Sequence, residues 1–150
     1  MDIELKIDEN IEKEKIVIYA KKHTQEIADI INKISMENNN QIVGYIDSKA
    51  FILNLENIWT FYTEGNKVYA KIGNKIYKIK YRIYELEEMI EGKSFIKISN
   101  SELLNIKHID SLDLGKVGTV IFKFKDGSTT YASRRSIKKI KEFLKLWGDN

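Results

Sequence analysis

Apolar and polar residues along the chain alternate in two periods, and the period identifies each element. Ile3, Leu5 and Ile7 are separated by Glu4 and Lys6, a period of two that predicts a strand. Asp8-Glu9-Asn10 is a turn signal, and the β-branched run Ile16 to Ala20 predicts a second strand. Ile27, Ile30, Ile31 and Ile34 then recur at helical spacing, with Thr24 placed to cap a helix over 24–36. Asn38-Asn39-Asn40 ends it.

Beyond residue 40 the short period dominates. Strands are expected over 42–46, 50–53, 58–63, 67–72 and 75–80, with tight turns at Asp47-Ser48, Gly65-Asn66 and Gly73-Asn74. Ile83, Leu86, Met89 and Ile90 predict a short helix over 83–91, ended by Gly92. Apolar pieces at 95–98 and 103–106 flank the polar loop Ser99-Asn100-Ser101. The runs 119–124 and 129–132 enclose Lys125-Asp126-Gly127-Ser128, a hairpin signal. Ile137, Ile140, Phe143, Leu144 and Trp147 form one stripe of an amphipathic helix over 135–147, with Ser133 as a candidate cap. The expected fold class is α+β and β-dominated, built of antiparallel sheets with three helices. Residues 1–40 read as a strand-strand-helix (β-β-α) extension and 41–150 as the main domain.

Composition removes several classes of function. The chain has 150 residues and no cysteine, so disulfides and thiolate metal sites are excluded. No apolar run approaches the ~20 residues of a membrane span, and the acidic start Met1-Asp2-Ile3-Glu4 lacks the order of a signal peptide. A cytoplasmic location follows as an expectation. His23 and His108 show no metal-ligand spacing, and no P-loop, dinucleotide-binding glycine motif or nucleophile elbow is present. Nothing here calls for a cofactor, and no set of residues supports an enzyme.

Charge adds direction. Residues 1–64 carry 7 lysines against 12 acids, whereas 65–150 carry 18 basic residues against 10 acids. Over 123–145 there are 8 basic residues and 2 acids. A basic end suggests a polyanion partner, although a lysine-solvated helix face gives the same arithmetic. Three polar features lie on loops or element ends of this half: Asn66 with Lys67, Lys97 to Ser101, and Arg134-Arg135 with Lys138 and Lys139. Asn and Arg can read adenine and guanine edges, while Lys and Ser more often hold phosphates. Asn66 and Asn100 also suit plain turns, and Arg135 also suits a solvated helix start.

The segment Phe95-Ile96-Lys97-Ile98-Ser99-Asn100-Ser101-Glu102-Leu103-Leu104-Asn105-Ile106 resembles the signature of the LytTR (LytR/AgrA-type) DNA-binding family. That signature runs F-hydrophobic-R-hydrophobic-H-K/R/N-S-x-hydrophobic-hydrophobic-N. Asn57 to Phe61, Lys67 to Ala70, Tyr84 to Glu87, Lys125 to Gly127 and Tyr131 to Ser136 resemble its other segments in order, so the likeness covers about 42–147. Ser99 stands where many members have His, and Lys97 replaces a usual Arg.

The resemblance implies a sheet-rich fold whose loops enter DNA major grooves, in place of a helix-turn-helix. It implies base contacts from Asn100 and Arg135, with Asn66 near a third contact and Lys67 beside it. Lys97, Ser101, Arg134 and Lys138 would meet the DNA backbone. The implied function is a sequence-specific transcriptional regulator of double-stranded DNA, acting as a homodimer on two half-sites. With about 40 residues ahead of the domain there is no room for a phosphoreceiver domain. By analogy alone, short members of this kind resemble regulators held by a membrane-protein inhibitor. Two other readings of the residues remain: a protein-protein interaction module using the acidic N-terminal unit, and single-stranded RNA binding on Tyr62, Tyr69, Tyr77 and Tyr81.

Overall fold

The computed structural model describes residues 1–38, 40–114, 119–132 and 134–148, and for 36–38, 134 and 146–148 the backbone alone. The expected cap Ser133, the side chain of Arg134 and the Trp147 end of the apolar stripe lie outside the described residues.

Helix α1 (Gln25–Asn38) starts where Thr24 Oγ1 accepts from the Ile27 amide at 3.3 Å, the cap the sequence suggests. Seven strands follow, broken once by helix α2: β1 (Gln41–Ile46), β2 (Lys49–Asn54), β3 (Thr60–Glu64), β4 (Lys67–Ile72), β5 (Lys75–Ile79), α2 (Ile83–Met89), β6 (Phe95–Ser99) and β7 (Glu102–Asn105). They form one antiparallel sheet in the order β2-β1-β5-β4-β3-β7-β6. Strands β8 (Ile109–Asp113), β9 (Val120–Phe124) and β10 (Thr129–Ala132) make a second antiparallel sheet. Helix α3 (Ile137–Gly148) follows a single 3-10 turn at Arg134–Ser136.

Alternation divides the large sheet between two cores. Ile42, Leu53, Tyr77, Ala70, Phe61 and Leu103 face α2, where Ile83, Leu86 and Ile90 close the first core. At the β6-β7 end the opposite face presents Ile96, Ile98 and Leu104 to Val120, Phe122, Phe124 and Ala132 of the second sheet and to Ile140 of α3. At the far end that face presents Val43 and Tyr45 to Ala28 and Ile31 of α1. Gly44 is required between them, because a Cβ there would lie 2.5 Å from Leu53 Cδ1 and 2.8 Å from Tyr77 Cβ.

Two readings are corrected. The strands expected at Ile3–Ile7 and Ile16–Ala20 are not formed, so of the expected N-terminal β-β-α unit only α1 is present. A strand needs a partner's amides and carbonyls, and within one chain no edge is laid beside this segment. Strand β8 was not expected, because Asp110 and Asp113 hide its weak pattern; pairing with β9 creates it.

Candidate nucleic-acid interface

Strand pairing gathers the candidate residues. Tyr62 of β3 pairs with Glu102 of β7 in an antiparallel ladder, so the end of β3 lies beside the start of β7. The β3-β4 turn, carrying Asn66, and the β6-β7 turn, carrying Asn100, therefore emerge at the same end of the sheet. The Thr63 amide donates to the Ser101 carbonyl at 2.9 Å and ties the two turns together. Gly65, at φ 65°, supplies the left-handed residue that the tight β3-β4 turn needs. Asn66, Lys67, Asn100 and Ser101 are all exposed. Lys67 stands opposite Glu64 across that hairpin.

The β6-β7 turn is braced from within. Ser99 Oγ accepts from the Ser101 amide at 3.2 Å and lies 3.1 Å from Ser101 Oγ. A register shift between Lys97 and Ser99 marks an irregularity in β6. Together these leave the Asn100 side chain at the tip.

A groove of about 730 Å³ runs from this turn to the start of α3. Lys97, Ser99 and Asn100 line it on one side, and Arg135, Ser136 and Lys139 on the other. Its floor holds Phe95, Ile96, Leu103 and Phe143, and its α2 side holds Glu87 and Glu91. Lys97 Nζ lies 3.3 Å from Glu87 Oε2, a half-exposed ion pair. Lys138 is exposed on α3 and does not line the groove. Lys139 does, a position the family likeness did not single out. Its signal was in the sequence: it stands four positions after Arg135, the spacing that shares a side in the helix expected over 135–147.

One wall belongs to the large sheet and the other to the 3-10 turn and α3 that follow the second sheet, and links between the two sheets fix them. Glu102 accepts from Thr60 Oγ1 at 2.7 Å and from Thr130 Oγ1 at 2.8 Å, joining β7 to β3 and to β10. Lys71 Nζ reaches Ser128 Oγ at 3.3 Å and Asp126 Oδ2 at 3.9 Å in the β9-β10 turn. The same ammonium sits 5.4 Å from the ring centres of Trp59 and Phe124, which stack at 5.5 Å, and His108 stacks on Trp59 at 5.7 Å. Hydrogen bonds from the Ser128 hydroxyl and amide, with Lys71 nearby, hold the Asp126 carboxyl below its usual range.

Of the tyrosines named for base stacking, Tyr77 is buried and Tyr62, Tyr69 and Tyr81 are partly buried. Tyr77 is buried beside Phe51, and Tyr62 and Tyr69 stack on one another at 5.7 Å. Burial, followed by Glu64, Tyr69 and Glu102, raises the Tyr62 pKa, so that hydroxyl stays neutral at physiological pH. Tyr81 is half-buried, and its pKa is also raised, mainly by burial. Among the described residues no group of His, Asp and Glu could hold a metal, and no helix is long and apolar enough to cross a membrane.

The family model of the LytTr DNA-binding domain matches residues 48–145. An uncharacterized HTH-type transcriptional regulator of Staphylococcus aureus strain COL is 36% identical over 147 residues, covering 97% of this chain and 99% of the relative. A protein of the same description from strain MW2 is 37% identical over 132 residues, covering 87% and 89%. The LytTr DNA-binding domain of a putative methyl-accepting/DNA response regulator from Bacillus cereus superposes with a TM-score of 0.67 at 16% identity, covering 70% of this chain and 96% of that one. This likeness concerns the fold. Strands separate every α-helix of the described chain from the next, so the helix-turn-helix in the relatives' names has no counterpart here. The chain belongs to the LytTr DNA-binding domain family, a family of DNA-binding transcription regulators and not of enzymes.

Proposed function

We propose that this protein is a cytoplasmic, sequence-specific transcriptional regulator that inserts loops into the grooves of double-stranded DNA. The DNA-binding unit is 41–150, with 1–40 as an extension of it. The observation that carries the reading is the convergence of Asn100, from the β6-β7 turn, and Arg135, from the 3-10 turn before α3, on one groove. In this reading Asn100 and Arg135 read base edges, and Asn66 approaches a neighbouring groove from the same end of the sheet. Lys67, Lys97, Ser101, Arg134 and Lys138 hold the backbone, and Lys139 joins them from the groove wall. Two copies bind half-sites about one helical turn or a multiple apart.

Fluorescence anisotropy over a salt series tests this, with duplexes obtained by selection from random sequence and scrambled controls. Salt-dependent, sequence-selective binding supports the reading. Absence of binding to every duplex at low salt refutes it, and equal affinity for selected and scrambled duplexes refutes its sequence-specific part.

A further inference from the structure

Among the described residues, the N-terminal segment carries the most exposed large apolar side chains. Ile3 is 98% and Leu5 81% exposed, and Ile7, Ile16, Val17 and Tyr19 are exposed as well. The first three alternate with Glu4 and Lys6, the pattern of a strand with one apolar face. The segment leaves the folded body at His23, whose Nε2 lies 3.2 Å from the Tyr45 hydroxyl. Within one chain these six side chains stay open to solvent.

The large sheet ends in an edge suited to such a strand. Strand β2 is its outermost member, in unbroken six-residue register with β1. Exposed edges are ordinarily guarded by charge, proline or a bulge. Strand β8, an edge of the second sheet, carries Asp110 and Asp113. The β6 edge is flanked by the 3-10 turn and α3. Strand β2 has none of these guards from Ala50 to Leu53, and Ile52 is 58% exposed.

We propose that residues 3–19 dock along strand β2 of a second copy, reciprocally, and make a two-fold dimer independent of DNA. Charge favours it. Residues 1–19 hold six acids and three lysines. Strands β2, β1 and β5 hold Lys49, Lys75 and Lys78 and no acid. Size favours it too. Six apolar side chains at roughly 100 Å² each, contributed twice, remove about 1,200 Å² before β2 is counted. That reaches the range of a stable interface, roughly 1,200–2,000 Å². The added strand gives hydrogen-bond partners to the β2 edge, and reciprocity closes the assembly at two copies. The surface lies at the opposite side of the sheet from the β6-β7 groove, so the dimer and the DNA reading fail separately.

The experiment is sedimentation velocity of the full chain without DNA, beside Leu5→Lys, Ile52→Lys and a variant lacking residues 2–20. Far-UV circular dichroism verifies that each variant is folded, and hydrogen exchange follows the β2 amides. The expected result is twice the single-chain mass for the wild type at micromolar concentration, and the single-chain mass for the two point variants. The β2 amides are protected in the wild type and lose protection in the truncated chain. A wild type that stays single at all concentrations overturns the proposal, including when its β2 amides are protected, since the segment then lies on its own chain. A dimer that survives both point substitutions overturns it as well.

Discussion

Asn105 donates its side-chain amide to the main-chain carbonyl of Ile58 at 2.9 Å, across 47 residues of chain. Its Oδ1 accepts from the Ser94 hydroxyl at 2.8 Å and the Lys107 amide at 3.1 Å, and its own amide donates to the Trp59 carbonyl at 2.8 Å. The residue is 0% exposed. One side chain thus joins the entries of β3 and β6 to the end of β7, the strands that carry both candidate DNA turns. Asn105→Ala removes three side-chain hydrogen bonds and strands buried partners. We expect a loss of about 3 kcal/mol in urea unfolding, from desolvated groups that no solvent reaches. A loss below about 1 kcal/mol would show that the loops hold without it.

Asn100→Ala and Arg135→Ala are each expected to cost about 1–3 kcal/mol on the selected duplex and much less on a scrambled one. Both side chains are exposed, so thermal stability should change little. Equal losses on both duplexes would assign these residues to phosphates instead.

The Lys97-Glu87 pair makes a prediction of the opposite sign. A half-exposed pair contributes little to stability, about 0–1 kcal/mol. Its electrostatic effect on a polyanion is larger, because Glu87 neutralises a groove lysine and repels phosphate. Glu87→Gln should tighten binding to every duplex a few-fold, with the gain shrinking as salt rises. Lys138→Ala, on the exposed face of α3, should weaken all duplexes alike and reduce the salt slope by about one. Unchanged affinity for Glu87→Gln at low salt would remove Lys97 from the contact surface.

Asp126 links pH to the junction of the two sheets. Its folded pKa lies below its ordinary value, chiefly through the Ser128 hydrogen bonds. Its contribution is therefore present above the ordinary carboxylate range and is lost as pH falls through the folded value. Melting curves of wild type and Asp126→Asn should differ near neutral pH and converge only once the pH has fallen past the ordinary carboxylate value, about 4, and through the lower folded one. A gap that persists in acid would point to packing, not charge.

Much of the fold is legible along the chain. Three helices and most strands of 41–150 announce themselves through periods of 3.6 and two, and Gly65, Gly127 and Asp47-Ser48 mark their turns. These signals survive because each depends on neighbours a few residues apart. The likeness around Lys97 to Ile106 locates the candidate DNA turn for the same reason.

Which distant segments meet is set by long-range pairing and not by any local pattern. Ile3 to Ile7 has the pattern of a strand and forms none in one chain, because alternation cannot supply a hydrogen-bonding partner. Ile109 to Asp113 has almost no pattern and is a strand, because β9 supplies one. Glu102 reads as an unremarkable acid, and becomes the bridge between Thr60 and Thr130 when β3, β7 and β10 converge. Arg135 and Asn100 are 35 positions apart, and no local rule sets them on one groove. Short-range periodicity set most elements and their turns. The pairing of strands from distant parts of the chain decided the site, since only long-range hydrogen bonding and burial bring its two walls together.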